Sequence, residues 1–254
     1  MSSTGTRLLT CLLALSLAMA AASRAMKVVG VSGSLRAASV NTQLLHIIQK
    51  NVAAGNVTGV DFSIADISAL PLYNADLESS EVGAPRCEAA AQQRSQLPHR
   101  RRAPSQGGVT KFPEAVEAFR AQVKDADAFI FACTEHNYGV SAALKNALDW
   151  GSRGGNVWAD KAAGMVGAGG RMGTSRAQYH LRTMGVFLNL HFVNKEACFN
   201  IWDGTNTVDM ADWKVKEDGA WTELLVAHAQ AVQQHAQRLV LGKEAEPSTA
   251  EVSA

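Results

Sequence analysis

Five short apolar runs, each followed along the chain by a stretch of helical periodicity, restrict this chain to very few folds. Lys27–Ser32 (Lys-Val-Val-Gly-Val-Ser) is apolar at both odd and even positions and stops at Gly33, as a strand covered on both faces does. Residues 40–53 then place Leu44, Leu45, Ile48 and Val52 at spacings of three and four, which marks one face of a helix. Val57–Ile64 is a second strand candidate. The periodicity then predicts a helix from Pro113 to Ala126, strand Ala128–Cys133, helix Ser141–Trp150, strand Ala162–Val166, helix Ser175–Leu188 and strand Phe192–Ile201. Trp221, Leu224, Leu225, Val232 and Leu239 mark a closing helix. Strands regularly alternating with helices imply an open parallel α/β sheet with helices on both faces. Ligands of such sheets bind beyond the carboxyl ends of the strands, where the strand order reverses.

Composition bounds the classes that remain. With 254 residues, 47% apolar and 19% charged, the chain is neither a disordered tail, a coiled coil nor a multi-span membrane protein. A net charge of +1 gives no reason to expect nucleic acid as a partner. Cys11, Cys87, Cys133 and Cys198 include no closely spaced pair, which argues against a disulfide scaffold or a structural zinc.

Three segments stand apart from the alternation. Residues 1–25 combine Arg7, the apolar run Leu8–Leu17 and an A-x-A site at Ala18–Ala20, the layout of a secretory leader. An organelle transit peptide is an alternative, since no acidic residue precedes Asp61, and a start at Met26 with cytosolic location is another. Residues 84–108 carry five arginines and one glutamate with little to bury, which predicts a surface loop. Arg100-Arg101-Arg102 reads as solvated charge in that loop rather than a nucleic-acid patch. Residues 243–254 read as a frayed tail.

The loops after strands one, three and four carry the chemistry. In Gly33-Ser34-Leu35-Arg36-Ala37-Ala38-Ser39-Val40-Asn41-Thr42, hydroxyls at Ser34, Ser39 and Thr42, the Asn41 amide and the Arg36 fork surround a helix N-terminus, where an anionic phosphate belongs. No Gly-Lys-Ser/Thr follows, so the loop lacks the machinery for γ-phosphate transfer. Thr134-Glu135-His136-Asn137-Tyr138-Gly139 is a polar, ring-bearing turn suited to a flat heterocycle. Gly167-Ala168-Gly169-Gly170-Arg171-Met172-Gly173 misses the dinucleotide fingerprint by one residue and follows the wrong strand, so its glycines are better used to let a planar ligand approach the backbone. Gly30–Ser34 fails the nucleophile elbow of serine hydrolases at its last position. His228 and His235, seven apart on a helix, lie too far apart to chelate one metal and read as surface or interface residues.

Together these motifs resemble the NADPH-dependent FMN reductase and NAD(P)H:quinone oxidoreductase family, in particular its plant-type soluble quinone reductases. The family pattern G-S-L-R-x-x-S-x-N stands intact at Gly33 to Asn41. Thr134 to Trp150 follows its P-E-Y-N-x-x-x-S-A-x-L-K-N-A-L-D-W pattern, with Thr134 in place of Pro and His136 in place of Tyr. Residues 156–161 and 178–182 continue in the plant-type manner, and residues 84–108 have no counterpart. The resemblance implies a flavodoxin-like three-layer sandwich over 26–242, with a five-stranded parallel sheet in the order 2-1-3-4-5. It implies FMN as cofactor, NADPH or NADH as hydride donor and a quinone-like acceptor, the flavin relaying the electrons and no side chain acting as nucleophile. Other activities of this class would be supply of reduced flavin to a partner enzyme, or an electron carrier or redox sensor without turnover. Ser34, Arg36, Ser39, Asn41 and Thr42 would hold the FMN phosphate. Glu135, His136, Asn137 and Tyr138 would line its ring, Gly169, Gly170 and Arg171 would close the other side, and His180 and Arg182 would meet nicotinamide or substrate. A homodimer or homotetramer is implied as well, with no metal, no nucleic acid and no membrane insertion of the domain.

Overall fold

The computed structural model describes residues 24–80, 110–205, 207–217 and 219–245. The expected leader up to residue 23, the insertion at 84–108 and residues 246–254 of the expected tail lie outside them. The central sheet contains β1 (Met26–Ser32), β2 (Val60–Ala65), β3 (Ala128–Ala132), β4 (Lys161–Gly169), β5 (Leu190–Phe192) and β6 (Cys198–Asn200). Its helices are α1 (Val40–Ala53), α2 (Glu114–Asp125), α3 (Ala142–Ser152), α4 (Ser175–Leu188) and α5 (Ala220–Ala245). The strands run parallel in the order β2-β1-β3-β4, with both β5 and β6 against the far edge of β4. This is the expected flavodoxin-like order, with its fifth position divided in two.

The sheet separates two apolar layers because its side chains alternate. Ala128, Ile130 and Ala132 of β3 pack with Leu44, Leu45 and Ile48 of α1 and with Trp221, Leu225 and Val232 of α5. Phe129 and Phe131 point the other way, onto Phe119 of α2, Leu144 and Leu148 of α3 and Leu181 of α4. Burial on both faces is why these strands read as continuous apolar runs.

Two boundaries differ from the periodicity in ways that bear on the site. β4 continues past Val166 to Gly169, so Gly167 and Gly169 belong to a strand and not to the glycine loop. A Cβ on Gly167 would lie 1.9 Å from Thr174 Oγ1, and one on Gly169 2.5 Å from the Gly173 carbonyl oxygen. These glycines let the 170–174 turn fold back onto its own strand.

The single run expected at Phe192–Ile201 is interrupted between Phe192 and Cys198, because β5 pairs with residues 161–163 and β6 with residues 167–169. Met165 lies opposite the gap, and its N–H donates instead to Nε2 of His228 on α5 at 3.1 Å. His228 is therefore a buried core residue, a correction to its reading as a surface or interface histidine. The tail expected from Lys243 also begins as helix, since α5 runs to Ala245.

Candidate functional site

The cleft at the carboxyl ends of β1, β3 and β4 has a volume of about 510 Å³, within the range of small-molecule sites. One wall is the phosphate-type loop. Ser39 caps α1, its Oγ accepting the Thr42 N–H at 3.4 Å, while the Ser39 N–H donates to the Arg36 carbonyl. The N–H groups of Val40 and Asn41 have no acceptor among the described residues, as expected of donors at a helix start, and they open toward an anion. The Ser34 N–H is held by Ser32 Oγ at 3.2 Å, and Ser34 Oγ accepts the Arg36 N–H at 3.3 Å. Arg36 donates one N–H to the Ala38 carbonyl at 3.0 Å, and its guanidinium lies 5.0 Å from the centre of the Trp213 ring.

The structure divides the expected site residues. Ser34, Arg36, Ser39, Asn41 and His136 line the cleft. Thr42 faces a neighbouring depression beside the end of β2, and its Oγ1 lies 2.7 Å from Ser32 Oγ. The Asn41 amide donates one Nδ2–H to the Ala168 carbonyl and accepts the Ala168 N–H on Oδ1, so it positions the cleft wall while its second Nδ2–H is not used in these bonds.

The loop after β3 is a tight hairpin, in which Glu135–His136 pairs with Gly139–Val140. Asn137 and Tyr138 form its tip at φ 50° and 65°, the left-handed pair of a two-residue type I′ turn. Neither tip residue is among those lining the cleft, and Tyr138 stacks on the Arg176 guanidinium at 4.0 Å. Glu135 is occupied at the start of α4, where it accepts the Ala177 N–H at 3.1 Å and pairs with Arg176 at 3.3 Å.

Gly169, Gly170 and Arg171 are likewise not among the cleft's lining residues; Ala168, Ile201 and Trp213 stand on that side. His180 sits against the hairpin, its Nδ1 3.1 Å from where a Cβ on Gly139 would be. Arg182 donates to Asn194 Oδ1 and the Val193 carbonyl, both at 3.0 Å, and so braces the gap between β5 and β6.

The sequence motifs left Trp213, Ile201, Thr134 and Ser141 unassigned, yet all four line the cleft. Ser141 had a local signal, a serine immediately before a helix. Its Oγ accepts the Leu144 N–H at 3.2 Å and donates to the Gly33 carbonyl at 2.5 Å, joining the α3 cap to the phosphate loop. Thr134 carries a buried Oγ1 without a partner among the described residues. Trp213 and Ile201 arrive from distant sequence and had no local signal.

These residues fit a mononucleotide. A helix N-terminus with open amides, serine hydroxyls and one arginine stands at one end, and the small apolar side chains of Ala142, Ala143 and Ala168 border the remaining space. Among the described residues no group of three or more His, Cys, Asp or Glu could hold a metal, and no helix is long and apolar enough to cross a membrane.

Fold and cleft together define a doubly wound, flavodoxin-like protein with a mononucleotide site at its switch point. The model of the NADPH-dependent FMN reductase family matches residues 26–203, and the chain belongs to that family. It is 42% identical over 179 residues to an NAD(P)H:quinone oxidoreductase of Solanum tuberosum, covering 70% of this chain and 77% of the relative. It is 38% identical over 216 residues to an NAD(P)H-dependent FMN reductase of Pseudomonas aeruginosa, covering 84% and 96%. Among solved structures, an NAD(P)H:(acceptor) oxidoreductase flavoenzyme of Paracoccus denitrificans shares the fold, with a TM-score of 0.58 at 24% identity over 83% of this chain and 98% of that one.

Proposed function

We propose that this protein is an FMN-dependent NAD(P)H:quinone oxidoreductase. The observation that carries the reading is the single cleft that joins the α1 N-terminal cradle to an apolar slot beside the β3 hairpin. The quinone oxidoreductases of Solanum tuberosum and Arabidopsis thaliana, each 42% identical, support the choice of acceptor. Bound FMN would supply the chemistry of hydride acceptance and two-electron release. The chain's part is positioning: the Val40 and Asn41 amides, Ser34 and Arg36 hold the phosphate, and Thr134, His136, Ala142 and Ala143 flank the ring. No protein nucleophile is required. Purified protein should be yellow, bleach on NADPH and recover colour with benzoquinone. A preparation that takes up no added FMN would refute the assignment, and bleaching by dithionite but not by NADPH would mark an electron carrier instead. Supply of reduced flavin is favoured over quinone reduction only if free FMN outcompetes benzoquinone as the electron acceptor, as the name of the Pseudomonas aeruginosa relative suggests.

We also propose that a second copy covers α4. Tyr179, Val186 and Phe187 lie along one face of this helix and remain 59%, 84% and 82% exposed, more apolar surface than a solitary helix normally shows to water. Val186→Glu with Phe187→Glu should lower the mass seen by light scattering to that of one chain; an unchanged mass would place any interface elsewhere. For residues 1–25 we propose a targeting leader cleaved near Ala20, tested by mass spectrometry of the native N-terminus; an N-terminus at Met1 or Met26 would count against it.

A further inference from the structure

Trp213 occupies a position that backbone sterics disfavour. It lies at the end of the turn joining Val208–Asp209 to Lys214–Val215, with φ +61°. A bulky side chain rarely adopts that conformation, and such strain persists only where neighbouring contacts hold it. Here the contacts come from α1: Gln43 Nε2 donates to the Trp213 carbonyl at 2.8 Å, and Gln43 Oε1 accepts the Val215 N–H at 2.8 Å. One glutamine of the helix that caps the cleft therefore latches the chain on both sides of Lys214, directly after the tryptophan.

The latch brings the indole into the cleft wall, under the Arg36 guanidinium at 5.0 Å. Arg36 is exposed, and among the described residues its guanidinium has one other contact, to the Ala38 carbonyl. An exposed arginine loses much rotamer freedom when it grips an anion, and a guanidinium already stacked on an aromatic face has lost part of it beforehand. The family model ends at residue 203, before this turn begins.

We propose that Trp213 is a positioning residue that sets Arg36 for the FMN phosphate, so that this chain discriminates FMN from its dephosphorylated form, riboflavin, through a side chain beyond the family segment. The proposal rests on the FMN reading above and deepens it.

The test measures dissociation constants for FMN and riboflavin by flavin fluorescence, with the full chain, four single variants and one double variant. Trp213→Phe keeps a ring beneath Arg36. Trp213→Asn suits the left-handed backbone but removes the ring, and Trp213→Leu keeps apolar volume against the core without a ring. Arg36→Ala removes the guanidinium. Trp213→Asn or Trp213→Leu, whichever keeps the wild-type far-ultraviolet dichroism, should weaken FMN about fivefold or more while riboflavin changes less than twofold. Trp213→Phe should stay within about twofold of wild type for both ligands. Added to Arg36→Ala, the ring-less substitution should have no further effect on FMN, because its route to the phosphate is already gone. An equal loss for FMN and riboflavin would reduce Trp213 to wall packing and overturn the proposal, as would unchanged FMN binding, or dichroism lost in both ring-less variants, which would make the ring a folding residue first. A wild-type chain that binds neither flavin would instead refute the FMN reading itself.

Discussion

The side-chain amide of Asn41 makes both hydrogen bonds with Ala168 that a neighbouring strand would make: Nδ2 donates to the Ala168 carbonyl at 2.9 Å, and Oδ1 accepts its N–H at 2.8 Å. β3 ends at Ala132, opposite Val166, which leaves the next outward-facing backbone groups of β4 without a strand partner. Asn41 supplies one from the first turn of α1 and so ties together two walls of the cleft.

Replacing Asn41 by Ala should therefore cost more than an ordinary polar substitution. Both Ala168 backbone groups would be buried without partners, a loss of about 2–4 kcal/mol at one to two hydrogen bonds' worth of desolvation. Urea unfolding of the apoprotein measures it. A loss below about 0.5 kcal/mol would mean that water or a local shift replaces the amide.

Arg36→Ala should weaken FMN binding about tenfold to a hundredfold, the range for a charge-assisted hydrogen bond to a phosphate. The wild-type affinity should also fall more steeply with salt than that of the variant, because the lost contact is the charged one. Titration of FMN at two ionic strengths checks both, and a salt dependence identical in the two proteins would place the phosphate elsewhere.

How much of this was legible beforehand differs between fold and site. Val28, Ile130 and Phe131 report two buried faces through composition alone, so the strands and their order could be read from apolar runs and motif resemblance. Glu135, Asn137 and Tyr138 were legible as a turn, but not in the contacts that Glu135 and Tyr138 make with α4. Asn-Tyr-Gly between short polar strands carried the signal for a tight hairpin, whereas the use of Glu135 as a cap on α4 depends on a helix start forty residues later. Trp213 meets Arg36 only because Gln43 fixes a turn 170 residues away, a coupling that no local pattern contains. The gap between β5 and β6 was hidden for the same reason: the residue that compensates it, His228, stands on another element.

Arg120 is a second buried polar group whose removal should be costly. Burial holds its guanidinium below its ordinary pKa, and it donates to the carbonyls of Trp150 at 2.8 Å, Gly151 at 3.2 Å and Gly155 at 3.1 Å. It thereby closes the C-terminal end of α3, whose N-terminal cap Ser141 lines the cleft. Arg120→Met should destabilise the protein by about 2–4 kcal/mol, since three hydrogen bonds from a charged group are lost while the volume is kept, the Trp150 and Gly151 carbonyls retaining the N–H groups of Arg153 and Val157. Thermal melts of both proteins measure it, and equal midpoints would show that solvent reaches these carbonyls.

His228 makes stability depend on pH in a predictable direction. Burial, with Lys195 and Arg182 adding positive charge, lowers its pKa from 6.5 to about 4. Its Nε2 accepts the Met165 N–H, so the neutral ring is the form that fits, and its buried Nδ1 has no partner among the described residues. Between pH 6.5 and 4 the unfolded chain binds a proton at this site that the folded chain refuses. Stability contributed by the neutral ring is complete above pH 6.5, falls as the pH drops toward 4, and changes little below that. Across this window the loss amounts to about 3 kcal/mol. His228→Gln leaves an amide oxygen able to accept from Met165 but nothing to protonate. The variant should therefore lose less stability than wild type between pH 7 and pH 4.5 in urea titrations, although it starts from a lower value at pH 7. Parallel curves for the two proteins would show that His228 does not titrate in the folded state as its burial requires.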